Sequence, residues 1–196
     1  MKMRITALIL LGSLLMATAA IACVGKTLVV GTTGTVQQDL MAQMISLLIQ
    51  ERTGTTVKIV KVDSNMAAHD ALLKADLDMY VEYTGVGQVN ILKKNPIADS
   101  AELYKAVKAT YNEELNLIWL KPFGFEAKKL APAGVAAEAA PVVRKDTLKK
   151  FPALARLINK LGGRIDAVVI GELETAAKTG EIKKVAREFL RSNRLI

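Results

Sequence analysis

The chain has 196 residues, of which 51% are hydrophobic and 23% charged, and its formal net charge is +8. That length suits one domain or two small ones, and the balance of apolar and charged residues excludes a disordered chain. The basic residues lie scattered in pairs (Lys93-Lys94, Lys128-Lys129, Lys149-Lys150, Lys183-Lys184) with no interleaved aromatics, which argues against a nucleic-acid partner and is compatible with contact to anionic headgroups.

The first 22 residues read as a secretory signal. Lys2 and Arg4 precede an apolar run from Ile5 to Met16, and small residues then lead to Cys23. Two readings of the junction stay open. Ala20-Ile21-Ala22 suits a signal peptidase, and the same residues ahead of Cys23 resemble a lipobox, which would make Cys23 the lipidated mature N-terminus. Cys23 is the only cysteine, so there is no disulfide framework. Either reading predicts an exported protein, periplasmic or on the outer face of the membrane.

After the signal, Thr27 to Gly31 predicts a short buried strand. Thr35 and Gln38 form a capping box that opens a helix to about Arg52, with Val36, Leu40, Met44, Leu47 and Leu48 as its apolar stripe and Gly54 as its stop. Val57 to Val62 predicts a second strand, Ala67 to Ala75 a helix, and Asp78 to Tyr83 a third strand ending in Thr84-Gly85. This alternation implies a parallel, helix-covered sheet. Asp99 to Leu115 predicts a helix and Asn116 to Leu120 a strand. Residues 126–140 are Ala-rich with Pro132 and Gly134 and read as a linker. Pro141 to Arg144 is expected to be extended. Three helices are predicted beyond it, around Leu154–Leu161, Ile165–Lys178 and Ile182–Leu190.

Five stretches, in order, resemble the substrate-binding proteins of ABC importers for glycine betaine, choline and related quaternary amines. They are Val29-Val30-Gly31 with the following loop, Gln38 and helix; Asp76 to Gly85; Leu117 to Phe125; Ala140 to Leu148; and Val185 to Leu190. The stretch from Asp76 to Gly85 is similar to the family's Asp-x-Tyr-Pro-Glu-Tyr-Thr-Gly signature, with Val81 where proline is usual. The resemblance implies an α/β fold of the type II periplasmic-binding-protein kind, with a mostly parallel sheet flanked by helices. It also implies an ABC permease or other membrane partner. With a single histidine and a single cysteine the chain offers no clustered metal ligands, and no nucleophile elbow or phosphate loop appears, so no cofactor, metal or enzymatic activity is expected. In the family, the chain crosses to a second α/β lobe after the Phe-Gly-Phe stretch. Here only residues 126–140 separate Phe125 from Pro141, whereas one βαβ unit needs about 30 residues. The expected organisation is therefore a single lobe, residues 23–196, built from 23–125 and 141–196, with 126–140 in place of the second lobe.

The resemblance also nominates a site. The family holds a quaternary ammonium ion among aromatic rings, which suits a cation that cannot donate hydrogen bonds. Tyr80 and Tyr83 end a strand of an open α/β sheet, the place where such sheets bind ligands. Three residues apart, they point to opposite faces, so one is expected to face a cleft and the other to pack in the core. Thr32, Thr33 and Gln38 open a helix and are candidate contacts for a carboxylate, with helix capping as the alternative. Thr84 is a further candidate. Glu82 is expected in a structural hydrogen bond or salt bridge, Tyr111 and Phe189 in apolar packing, and His69, the only histidine, on the surface or capped in a helix. Without a second lobe, closure over a ligand would need a partner or a homodimer. The competing reading is an interaction or sensor lobe that has lost ligand binding, with an exposed apolar patch where the second lobe would sit.

Overall fold

The computed structural model describes residues 27–127 and 130–196; the expected leader, Cys23 and the Lys128-Lys129 pair lie outside them. Strand β1 (Leu28–Thr32) runs into helix α1 (Val36–Thr53). Thr35 caps that helix by accepting from the Gln38 amide, and Gly54 ends it with a left-handed φ of 69°. Strand β2 (Val57–Lys61) and helix α2 (Asn65–Leu73) follow, the latter capped by Ser64. β3 (Met79–Tyr83) leads directly into a π-helical turn, Val86–Ile91, and α3 (Ser100–Glu114) returns the chain to β4 (Leu117–Trp119).

β5 (Ala139–Arg144) re-enters the sheet, and α4 (Lys145–Lys150), α5 (Leu154–Ile158), α6 (Ala167–Thr179) and α7 (Ile182–Ser192) complete the chain. The strand order is β2-β1-β3-β5-β4. β1 pairs in parallel with β2 and β3, whereas β5 is antiparallel to both β3 and β4, so the sheet is mixed and only β5 runs against the rest. The α/β expectation therefore holds. α4 and the π-helical turn were not anticipated, being too short to show a period.

Two apolar layers cover the sheet. Leu28, Val30, Met79, Val81 and Tyr83 face α1 and the C-terminal helices, while Tyr80, Val142, Leu117 and Trp119 face α2 and α3. The period-2 alternation of β3 therefore sends its two tyrosines to opposite layers, as their spacing requires. α1 is the centre of the first layer: Leu40, Met41, Met44, Ile45, Leu47 and Leu48 are all buried. Each such side chain stabilises the fold by roughly 1.5–3 kcal/mol, and burial on most sides explains why the helix is apolar beyond one stripe. Val36, expected in that stripe, is exposed at the first turn.

The Ala-rich segment read as a linker is docked on the sheet. Leu120, Phe123 and Ala127 donate backbone hydrogen bonds to Pro141, Ala139 and Ala137 at 2.9 Å, and Glu126 bridges Glu138 in antiparallel register. Residues 120–127 and 137–141 thus pair as the two arms of a long hairpin, Val135 and Ala137 are buried, and the last two residues of the expected linker, Ala139 and Ala140, belong to β5.

Candidate functional site

The C-terminal ends of β1 and β3 and the N-termini of α1 and α2 meet at one edge of the sheet, and most of the predicted residues lie there. Thr32 is buried; its hydroxyl donates to Asp39 Oδ1 at 2.7 Å and accepts from the Gly34 amide. The Thr33 amide donates to Gln38 Oε1 at 3.0 Å. Gln38 is buried and donates from Nε2 to Asn65 Oδ1 at 3.1 Å and to the Val81 carbonyl at 3.4 Å. The capping box is therefore half formed. Thr35 caps the helix, but the Gln38 side chain turns to Thr33 and Asn65 instead of the Thr35 amide.

The two tyrosines are both 1% exposed. Tyr83 donates its hydroxyl to Gln37 Oε1 at 3.0 Å, and Gln37 Nε2 donates on to Glu174 Oε1 of α6 at 3.2 Å. Tyr80 lies on the other face, donating to Glu82 Oε2 at 2.9 Å, with His69 Nδ1 3.4 Å away. Burial pushes both phenol groups well above the usual tyrosine range. Thr84 is fully buried and is occupied by the hairpin: its amide donates to the Glu138 carbonyl, and its hydroxyl donates to Ala136 O and accepts from Glu138 N. Gly85 follows because the hairpin backbone comes so close. A Cβ there would lie 2.5 Å from Ala136 O.

Glu82 is fully buried and accepts from Asn65 Nδ2 at 2.6 Å, Tyr83 N at 2.8 Å and the Tyr80 hydroxyl. Desolvation raises its pKa to about 7, against the pull of those three hydrogen bonds. The structural role expected for Glu82 is the one it has. His69 is a correction. It is buried, packs edge-on to Tyr111 with ring centroids 5.5 Å apart, and has its pKa lowered by desolvation, partly offset by Asp70. A surface or capped position was expected because a lone histidine with no second His or Cys to form a metal site gives no sign of which side it faces. Tyr111 packs in the core as expected, edge-on to Trp119.

Asn65, Gln37 and Glu174 were not singled out from the sequence. Asn65 had a visible signal, since Ser64-Asn65 opens a helix after a strand and such loops line this edge. Glu174 had none, because its place beside Gln37 depends on how α6 packs. No group of three or more metal-ligating side chains occurs among the described residues, and no helix among them is long and apolar enough to cross a membrane.

The family described as the substrate binding domain of ABC-type glycine betaine transport systems matches residues 26–131 and 128–192. A Helicobacter pylori protein, the ergothioneine transport permease/ergothioneine binding protein EgtU, is 34% identical over 101 residues, covering 51% of this chain and 18% of that protein. The carnitine transport binding protein OpuCC of Listeria monocytogenes is 28% identical over 127 residues, covering 64% of this chain and 38% of that protein. The chain thus spans well under half the length of these curated relatives. Among solved structures, a glycine betaine/carnitine/choline ABC transporter protein superposes with a TM-score of 0.80 at 18% identity, covering 87% of this chain and 98% of that one. Apo YehZ from Escherichia coli superposes with a TM-score of 0.75 at 17% identity, covering 88% and 100%. At such identities these two speak for the periplasmic-binding-protein fold alone.

Proposed function

We propose, from the fact that the chain belongs to the family of substrate-binding domains of ABC-type glycine betaine transport systems, that it is a ligand-holding lobe for a small quaternary amine. The family's work is transport, done outside the cytoplasm. In this reading the chain presents its ligand to an ABC permease, is exported by residues 1–22, and is held at the membrane through a lipidated Cys23. The observation that carries the reading is the convergence at one sheet edge of Thr32, Thr33 and Gln38 from the first matched stretch with the end of β3, where Gln38 donates to the Val81 carbonyl and the Tyr83 hydroxyl donates to Gln37. In this reading the Thr33–Gln38 loop supplies the polar side of the site, and the Tyr83 ring, 1% exposed here, supplies a π face only once it is uncovered. The hairpin 126–138 takes the place of a second lobe, and a second copy of the chain or the permease covers the ligand.

A thermal-shift screen of the full-length chain against glycine betaine, choline, carnitine and ergothioneine tests this. A true ligand at 100 times its Kd adds about 2.7 kcal/mol of stability. No shift with any of the four, at protein concentrations where light scattering detects monomer and dimer in turn, would count against binding.

One observation favours a second reading. Both signature tyrosines are buried with their hydroxyls bonded inside the protein. The exposed Met66 and Leu130 flank a groove of about 300 Å³ lined also by Val86 and Ile91, with Ser64, Asn65 and Asn90 as its polar lining. That arrangement suits a lobe that docks on a membrane partner or senses it without a ligand, and a null ligand screen is its expected outcome.

A further inference from the structure

The buried Glu82 carboxylate begins a hydrogen-bond chain that ends on a backbone amide of the loop after β1. Glu82 Oε1 accepts from Asn65 Nδ2, Asn65 Oδ1 accepts from Gln38 Nε2 at 3.1 Å, and Gln38 Oε1 accepts from Thr33 N at 3.0 Å. Each link orients the next. A carboxylate can only accept, so the Asn65 amide nitrogen must face it, which leaves the Asn65 oxygen for Gln38 and the Gln38 oxygen for Thr33. Reversing any one amide would set donor against donor or acceptor against acceptor.

The far oxygen of the same carboxyl has an outlet. Oε2 accepts from the Tyr80 hydroxyl, and Tyr80 lies 3.4 Å from His69 Nδ1. His69 stands one helical turn beyond Asn65 on α2, so one helix face meets both oxygens. A proton taken up on Oε2 would point at the Tyr80 oxygen, whose own proton would turn to an unprotonated His69 Nδ1. The carboxyl then loses its negative charge, and its hold on Asn65 Nδ2 weakens from a charge-assisted to a neutral hydrogen bond. The groups facing Glu82 are Tyr80 on its own strand, Asn65 and His69 on α2, Gln38 on α1 through Asn65, Tyr111 on α3, and Ala140 of β5 directly opposite. Among the described residues no salt bridge reaches it.

We propose that Glu82 is a positioning residue for the loop at the strand ends: acting through Asn65 and Gln38, its carboxylate sets where the Thr33 amide points, and proton uptake by Glu82 is felt at the mouth of the site. Burial places that uptake near neutral pH. The coupling stands on the hydrogen bonds alone; its consequence, a ligand affinity that varies with pH, rests on the binding reading above.

The test is an amide titration of the full-length chain labelled with 15N-threonine and 15N-tyrosine, from pH 5.5 to 8.5, without ligand. The Tyr83 amide touches Glu82 directly and reports its protonation; the Thr33 amide reports it only through the chain. In the wild type both shift with one midpoint near pH 7. In Asn65→Ala the Tyr83 amide still titrates and the Thr33 amide is flat, and in Glu82→Gln neither moves. A flat Thr33 amide in the wild type overturns the proposal, and so does a Thr33 titration that survives in Asn65→Ala. Persistence in Glu82→Gln, which keeps His69, would assign the effect to the histidine and overturn it equally. Because this arm needs no ligand, failure of glycine betaine to bind would count against the proposed function and leave the coupling to be decided by the amides.

Discussion

The Tyr83 hydroxyl donates to Gln37, and Gln37 donates to Glu174, so the ring nominated as a ligand contact is tied from β3 through α1 to α6. This changes which variant can test it. Tyr83→Ala removes a fully buried aromatic and should destabilise the protein by about 3–5 kcal/mol, so lost binding in that variant would not separate a ligand contact from a damaged core. Tyr83→Phe keeps the π face and removes one hydrogen bond to a half-buried amide, at about 1 kcal/mol. If a quaternary ammonium ion meets this ring, Tyr83→Phe retains its affinity within a few-fold in calorimetry. An affinity that falls with the hydroxyl alone would mean that the ligand is read by the Tyr83–Gln37–Glu174 relay and not by the ring.

The Thr-Gly of the signature is expected to fail through the hairpin. In Gly85→Ala the new methyl would sit 2.5 Å from the Ala136 carbonyl oxygen and 2.7 Å from the Ala131 Cβ. Gly85 itself has an ordinary helical φ of −67°, so the penalty is crowding and not backbone strain. Overpacking of this kind destabilises by about 1–3 kcal/mol. The clash falls on the hairpin, so the expected result is a lower melting temperature together with faster proteolytic cleavage between residues 127 and 137. A variant that melts lower with unchanged cleavage would place the damage in the π-helical turn instead.

How much of this could be read from the chain differs by element. α1 was legible because Thr35 and Gly54 mark its ends and Leu40, Met44, Leu47 and Leu48 recur at helical spacing between them, and β3 because a short run ends in the turn residues Thr84-Gly85. The direction of β5 was not, since nothing within Ala139–Arg144 distinguishes a parallel from an antiparallel partner; that depends on how residues 120–127 and 137–141 pair as a hairpin. Thr32, Thr33, Gln38, Tyr80, Tyr83 and Thr84 were legible as places at or near the strand ends, and their bonds were not. Thr84 has the sequence context of a free hydroxyl beside a turn, whereas the hairpin backbone takes both its donor and its acceptor. Tyr80 and Glu82 share a face by period 2, but the helix that answers them, with Asn65 and His69 one turn apart, becomes visible only once α2 is packed.

Asp78 illustrates the same gap, and its removal should be costly. The sequence presents it as one of two acids near a strand. In the fold its Oδ2 accepts from the Val29 amide at 2.8 Å and its Oδ1 from the Thr147 hydroxyl at 2.8 Å, joining β1, β3 and α4. Asp78→Ala leaves both donors without a partner, and hydrogen bonds to a charged group contribute about 1.5–3 kcal/mol each. Urea unfolding should show a loss of about 2–4 kcal/mol. Thr147→Val, which removes one of the two partners and keeps the carboxylate on Val29, should lose about 1.5–2 kcal/mol. Equal losses in the two variants would mean that the Val29 bond contributes nothing.

Glu82 also sets an expectation for stability against pH. Its pKa is about 7 in the fold, against an ordinary value of 4.5, so the folded protein holds this proton more tightly than the unfolded chain. The stability linked to it is therefore fully present below pH 4.5, declines as the pH rises, and is gone once the pH has passed through 7. A shift of that size corresponds to about 3 kcal/mol between the two limits. Urea midpoints measured from pH 5 to 8 should fall in the wild type. Glu82→Gln offers a neutral group of the same shape: its oxygen can accept from Asn65 and Tyr83, and its amide can donate to the Tyr80 oxygen. That variant should flatten the decline and be the more stable protein at pH 8. His69, with its lowered pKa, pulls the other way in this range and is present in both proteins, so the comparison decides: a wild-type midpoint that changes with pH just as that of Glu82→Gln does would mean that the three donors around the carboxylate outweigh its burial and Glu82 is ionised throughout.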